Sequence, residues 1–299
     1  MSVLKTFMRK FLALFGNVGF ADKQFRQEFA HFHLEKYQRP YGTNAPWNLP
    51  VKHLPQHPES ALYAERLWQD APDHWPGNFK LTFDDYTYPV YYVHDALGRF
   101  PVQTTWETNI NGKTIPWNPI WRPPDGTDAQ IIILDLEQGL EWNLWQVEFR
   151  DGTIWATNGN LVQVEEERGD GSNPANLWQK ENGFRPSRGI GVQYLAMLVR
   201  PEEIMLGEIR HALSMPIRNT DGALFVAPAT KLEHPSYPSD QIPEGMRFAL
   251  KVTDKEIDLW LASLPKEFSA VSRYSARCIA VALRDYGWFI TDTSGAAHL

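Results

Sequence analysis

The segment Asp128–Asn158 (DAQIIILDLEQGLEWNLWQVEFRDGTIWATN) constrains the fold more than any other part of the chain. Its β-branched and aromatic runs are separated by two turn signals, Gln138-Gly139 and Asp151-Gly152. That combination predicts a three-strand meander. Side chains along a strand alternate between faces. With a two-residue turn at Gln138-Gly139, Leu136 faces Glu141 and Ile132 faces Trp145. One face then carries Asp128, Gln130, Ile132, Leu134 and Leu136 with Glu141, Asn143, Trp145, Val147 and Phe149. The other carries Ile131, Ile133 and Asp135 with Trp142 and Leu144. The second turn brings Asn158 beside Trp145. Gln130, Asn143, Trp145 and Asn158 thus gather on one face, an indole among amides. Sugars suit such a face, because their C–H surfaces stack on indole while their hydroxyls pair with amides.

Composition supports a β-rich globule. The chain has 299 residues, 43% apolar and 22% charged, so it can bury a core. Its 12 Trp, 22 Pro and 20 Gly fit short strands, tight loops and aromatic platforms. The expected fold is mainly β, an antiparallel, jelly-roll-like β-sandwich with a few short helices. A net charge of -7 opposes a nucleic-acid partner, which needs a basic field. Cys278 is the only cysteine, so no intrachain disulfide forms, and its apolar helical setting favours a buried, inert thiol.

The N-terminus reads two ways. Lys5, Arg9 and Lys10 precede FLALFGNVGFA with a small-x-small site at Gly19-Phe20-Ala21, an export-signal pattern that points to a secreted or cell-envelope protein. Phe7, Phe11, Leu14, Phe15 and Val18 equally share one face of a helix, which fits a retained docking segment and a cytoplasmic location. No run reaches the ~18 apolar residues that a spanning helix needs. The expected organisation is an N-terminal extension over 1–38 followed by one β-rich domain over 39–299.

Further along, Ser60–Gln69 reads as a helix capped by Ser60. Tyr86–Val93, Val102–Asn109, Glu208–Ile217, Ala223–Ala227, Arg247–Val252 and Trp288–Thr291 read as strands. The polar stretch 165–188 reads as a long loop with Trp178 and Phe184 as anchors. A short helix opens at Arg200-Pro201-Glu202-Glu203 and stops at Gly207. The capping box Thr253-Asp254-Lys255-Glu256 starts a helix to Leu264, and Ser272–Tyr286 is a second helix closed by Gly287.

The candidate acid–base groups are Glu141, Asp128 and His211. Retaining glycosidases hold their carboxyls about 5–5.5 Å apart and inverting ones about 6.5–9.5 Å. In the expected register Asp128 faces Phe149, eight residues from Glu141, which is roughly 25 Å along the strand. Each carboxylate therefore needs another partner. His211 shares a strand face with Ile209, Leu213 and Met215, as a satisfied core group or as a proton-transfer group. Metal signatures are weak. His31 and His33 fall on different helical faces, and His53 and His57 lie in a Pro-rich segment. Asp125-Gly126-Thr127-Asp128 and Asp170-Gly171-Ser172-Asn173 could form Ca²⁺ loops but read first as turns; no cofactor is otherwise implied. The chain has no HExxH, GxSxG, P-loop or GxGxxG pattern.

Five segments in this order, TDAQIIILDLEQGLEWNLWQ, GEIRHAL, FVAPAT, IPEGMRFAL and ALRDYGWFITDTSG, resemble an uncharacterised family of secreted bacterial and fungal proteins, sometimes joined to carbohydrate-binding modules. The likeness spans roughly residues 45–295. It implies a β-sandwich in a polysaccharide-handling setting, and it points to Asp128, Asp135, Glu141, Trp145, His211 and Asp292. The chain departs from the pattern at Asp292-Thr293-Ser294-Gly295, where relatives carry Asp-Asn-Gly-Ser. The expected function is that of an extracellular carbohydrate-active protein, a glycoside hydrolase or lyase acting on a polysaccharide or oligosaccharide. A non-catalytic glycan-binding module and a structural or assembly protein with an N-terminal docking segment are the alternatives.

Overall fold

The computed structural model describes residues 41–42, 45–70, 87–163, 186–295 and 297. The expected extension over 1–38 (with His31 and His33), Asp170–Asn173, Trp178 and Phe184 lie outside them. In chain order the elements are α1 (Ser60–Gln69), β1 (Val90–Tyr92), β2 (Gly98–Thr104), β3 (Thr114–Trp117), β4 (Ile131–Asp135), β5 (Leu140–Trp145), β6 (Glu148–Arg150), β7 (Thr153–Ala156), β8 (Asn158–Gln163), α2 (Pro201–Leu206), β9 (Leu213–Ile217), β10 (Thr220–Phe225), β11 (Ile242–Glu244), β12 (Arg247–Phe248), α3 (Asp254–Ser263), α4 (Ala270–Asp285) and β13 (Trp288–Thr293). The fold is mainly β, with few and mostly short helices.

The strands form sheets β1-β4-β5-β8, β3-β2-β7-β6, β12-β13-β9 and β10-β11. The expected antiparallel pairing is corrected: β1/β4, β2/β7, β9/β13 and β10/β11 are parallel pairs. Side-chain alternation is blind to strand direction, which is set by the connections. The helices α3 and α4, for example, join β12 to its antiparallel neighbour β13, and the whole run from β10 to α4 lies between β9 and its parallel partner β13.

The meander is present with two corrections. Its first turn spans four residues, Leu136–Gly139, because the Asp135 Oδ1 accepts from the amides of Glu137 (3.0 Å) and Gln138 (2.9 Å) and Gly139 takes a φ of 65°. Leu134 therefore pairs with Glu141, and Ile132 with Asn143. A slip of two residues preserves the faces. The second correction comes after Trp145, where the chain leaves the sheet. It builds the hairpin β6–β7, with Asp151 and Gly152 both at positive φ, in the neighbouring sheet, and returns as β8. Asn158 still lies opposite Trp145.

Both faces of β4 and β5 are covered. Ile131, Ile133, Trp142 and Leu144 pack against Val102, Ile115, Trp117 and Ile154 of the β3-β2-β7-β6 sheet. Ile132 and Leu134 pack instead on Trp47, on Ile190–Met197 and on Phe289. Each fully buried large side chain here contributes about 1.5–3 kcal/mol of transfer free energy. A third core joins α4, through Cys278, Ala282 and Leu283, to β9 and β13. Burial pushes the Cys278 thiol up to about 11, which keeps it inert.

The helix α1 has the expected bounds, but Glu59 occupies its cap position and Ser60 begins the helix without capping it. The capping box of α3 forms as read, with the Glu256 amide donating to Thr253 Oγ1 and the Thr253 amide to Glu256 Oε2. Gly207 stops α2 at a φ of 92°. The strand expected from Glu208 starts only at Leu213, so His211 lies in the irregular approach to β9. There the Glu208 amide closes onto the end of α2, and the Ala212 amide donates to the Trp47 carbonyl. Among the described residues no helix is long and apolar enough to cross a membrane.

Candidate functional site

The inner face of the β4-β5-β8 sheet carries a polar stripe. Trp145 stands beside Asn158, Asn143 beside Asn160, and Glu141 beside Val162. Period-two alternation puts these residues on one face, so the strand pattern of Asn158 and Asn160 marks the stripe in sequence. Asn160, missed in the sequence reading, donates from Nδ2 to Asn158 Oδ1 and to Ser187 Oγ, both at 3.4 Å. A Cβ on the intervening Gly159 would press into Ile110 and the Asn143 carbonyl, so glycine permits this close strand approach.

At the stripe's inner end Glu141 is fully buried (0% exposed). Its carboxylate accepts from the Tyr41 hydroxyl, from Asn143 Nδ2 (2.5 Å) and from the Leu195 amide (3.1 Å). Asn143 Oδ1 in turn accepts from the Tyr194 amide at 3.2 Å. Burial raises the Glu141 carboxyl to about 7; the three donors and the charge of Arg188 hold it from going higher. Glu141 and Asn143 therefore knit the sheet to residues 194–195 and have no solvent-facing surface.

The outer end is open. Trp145 is half-buried and its Nε1 donates to Asp128 Oδ1 at 3.3 Å; Gln130 Nε2 donates to Asp128 Oδ2 at 3.0 Å. Trp106, which the sequence reading also missed, is 51% exposed and tilts against Trp145 with ring centroids 5.6 Å apart. The backbone fixes this pair. The Trp106 amide donates to Thr157 O, and the Thr157 amide donates to Trp145 O. Asp128 does not face Phe149 as expected: its carbonyl accepts from the Gln146 amide at 2.8 Å. Ala129 and Gln146 hold positive φ values of 40° and 56° beside the platform, strain of the kind that accumulates at binding sites.

Residues Ser187–Gly189 bridge this sheet to the β12-β13-β9 sheet. Ser187 Oγ donates to the Asn143 carbonyl at 3.4 Å. Arg188 is buried and donates to Ser214 Oγ (2.9 Å) and to the carbonyls of Tyr194 (2.8 Å) and Ala196 (3.2 Å), with its guanidinium over the Tyr88 ring at 5.0 Å. The Gly189 amide donates to Asp292 Oδ2 at 3.1 Å, an approach that a Cβ at Gly189 would block. Asp292 pairs with Glu233. Both accept from the Thr293 amide, and burial followed by the Glu233 charge raises Asp292 well above the carboxylate range. Glu244 stands behind, accepting from the Glu233 amide at 3.1 Å, and burial lifts it to about 7. Desolvation likewise raises the Tyr88 phenol to about 12, which feels Arg188, Asp292, Asp128 and Glu233 together. Arg188, Tyr88, Tyr194 and Glu233 carry no motif of their own. Only the fold brings them to residues that the sequence reading named.

His211 is placed elsewhere. It is 1% exposed, with Nε2 3.1 Å from Glu203 Oε1 and Nδ1 2.8 Å from the Ala212 carbonyl. Arg200 Nη2 completes the group at 3.1 Å from Glu203 Oε1. Burial alone would raise Glu203, but His211 and Arg200 bring it down to about 2. Asp135 serves the hairpin turn described above. Among the described residues no group of three or more His, Cys, Asp or Glu is placed to hold a metal. His57 Nδ1 accepts from the Glu59 amide. No family model, curated protein or solved structure matched this chain.

Proposed function

We propose that the protein handles a polysaccharide or oligosaccharide, seating it on the Trp106–Trp145 platform with Asp128 at the edge and Asn158 along one side. The carrying observation is the tilted indole pair, Trp106 exposed and Trp145 half-buried, whose inner ring donates to a half-buried carboxylate. Such a surface offers stacking to sugar C–H faces and acceptors to hydroxyls. Gln130 holds Asp128 from beneath, and Asn143 continues the stripe inward. Asp128 is the one sequence-named acid at the platform, and we assign it the acid–base role in glycosidic bond chemistry. Glu141 lies deeper in the same stripe as a positioning group, and His211, held by Glu203, takes no part at the platform. The two facing four-stranded sheets are the part of the fold that we read as sandwich-like, and an extracellular setting accords with the motif resemblance.

The sealing of Glu141 and His211 favours a second reading, a glycan-binding module without catalysis. Affinity electrophoresis and product analysis on a polysaccharide panel separate the two. The enzyme reading expects retardation with product, and loss of product in Asp128→Asn. Retardation without product leaves the module. Glycan retention that survives both Trp106→Ala and Trp145→Ala removes the platform.

A further inference from the structure

We propose that two copies of this chain associate through β10, pairing antiparallel about a two-fold axis at Phe225. Residues Ala223–Ala227 read Ala-Leu-Phe-Val-Ala, and all five are exposed, Leu224 to 63%, Phe225 to 42% and Val226 to 41%. Successive side chains of a strand point to opposite faces, so both faces of this stretch are open. Its backbone has an open edge as well. Val226 turns toward β11, its amide donating to the Glu244 carbonyl at 2.8 Å. The N–H and C=O of Phe225 therefore point to the other side, where no strand lies among the described residues.

Other strand edges of this molecule are shielded. The Asn109 side chain closes β8, donating to the Leu161 carbonyl and accepting from the Leu161 amide, both at 2.9 Å. The edge strand β6 carries the Glu148–Arg150 ion pair, and charge of that kind discourages edge-to-edge pairing. Gly222–Ala229, by contrast, contains no charged residue. The neighbouring Asp221 is buried, and its carboxylate is taken by the amides of Ala223, Leu224 and Gln241. The order of side chains identifies the occupant, because their sizes mirror about Phe225. In an antiparallel pair centred there, Ala223 faces the partner's Ala227, Leu224 faces the partner's Val226, and Phe225 faces the partner's Phe225. A two-fold interface requires self-complementarity of this kind. With their edges facing, the two Phe225 residues exchange both N–H···O bonds. The strip is small beside the roughly 1,200 Å² of a stable interface, so the dimer is weak and depends on concentration.

The test is sedimentation velocity of the full chain from about 1 to 200 µM. The mass is expected to climb from 34.4 kDa toward twice that value. Two double variants then test the register at low salt. Leu224→Lys/Val226→Glu sets opposite charges across the pair and is expected to keep the dimer. Leu224→Lys/Val226→Lys sets like charges there and is expected to abolish it. Phe225→Cys is expected to give a disulfide-linked dimer on mild oxidation, since directly opposed Cα atoms of a hydrogen-bonded pair lie about 5.5 Å apart, within disulfide reach. The native Cys278 is buried and gives no such product in the unsubstituted chain. A chain that stays monomeric over the whole range, double variants that behave alike, or association in which Phe225→Cys does not cross-link overturns the proposal.

Discussion

Glu203 and Glu141 are equally hidden and chemically opposite. Both lie below 3% exposure. Glu203 meets the Arg200 guanidinium and the His211 ring and is held at about 2. Glu141 meets neutral donors, Tyr41, Asn143 and the Leu195 amide, with Arg188 acting only through its field, and rises to about 7. Burial costs each carboxylate its hydration; the partner decides whether the charge survives. The Glu203 cluster is therefore a closed ion network that fixes the end of α2 against the approach to β9. The Glu141 cluster is a carboxyl poised near neutrality at the root of the polar stripe.

The largest effect is expected from breaking the first cluster. Glu203→Gln leaves the Arg200 guanidinium buried without its counter-charge, at a cost on the order of 3–5 kcal/mol. Urea unfolding measures it directly, and a loss below about 1 kcal/mol would place that guanidinium in water. Glu141→Gln, by contrast, imitates the protonated carboxyl and is expected to change stability little at pH 5.

The pH profile sets the two regions against each other. Glu203 has a folded value of about 2, below its ordinary 4.5, so its contribution is complete above 4.5 and is lost as the pH falls toward 2. Glu141 has a folded value of about 7, above 4.5, so its contribution is complete below 4.5 and is lost as the pH rises through 7. Each carries on the order of 3 kcal/mol. Glu244 and Asp292, both raised, add to the alkaline loss. Unfolding midpoints are expected to peak near pH 5 and decline toward pH 8, with a shallower decline in Glu141→Gln. A wild-type profile that is flat between pH 5 and 8 breaks the contrast.

The contrast also separates what could be read in the sequence from what could not. Alternation along Ile131–Trp145 placed Glu141, Asn143 and Trp145 on one face, and a register slip of two left those faces intact. The Thr253 capping box and the Gly207 stop rest on local chemistry and were legible for that reason. Strand direction was not legible, because it depends on what the connecting chain does. The partners of the named acids were hidden for the same reason. Tyr41 reaches Glu141 across 100 positions of sequence, and Gly189 reaches Asp292 across 103. His211 looked like a strand residue because Ile209, Leu213 and Met215 keep period two, yet the Ala212 amide bonds to Trp47 and delays the strand to Leu213.

The smallest effect is the most diagnostic of the second cluster. Tyr41→Phe removes one donor from Glu141 and leaves the packing of the ring against Trp47, an edge-to-face contact at 5.4 Å, in place. A neutral hydrogen bond is worth about 1 kcal/mol, and one to a charged group about 1.5–3 kcal/mol. At pH 5, with Glu141 protonated, the variant is expected to lose about 1 kcal/mol. At pH 8 the orphaned carboxylate makes the loss about twice as large. The Tyr41 donor also lowers the Glu141 value, so its removal pushes that value higher and extends the alkaline loss of stability to higher pH. The same substitution is expected to leave the acid limb, which belongs to Glu203, unmoved. A Tyr41→Phe cost that is equal at pH 5 and pH 8 would mean that Glu141 holds one protonation state throughout, and the two clusters would then differ in their partners but not in their chemistry.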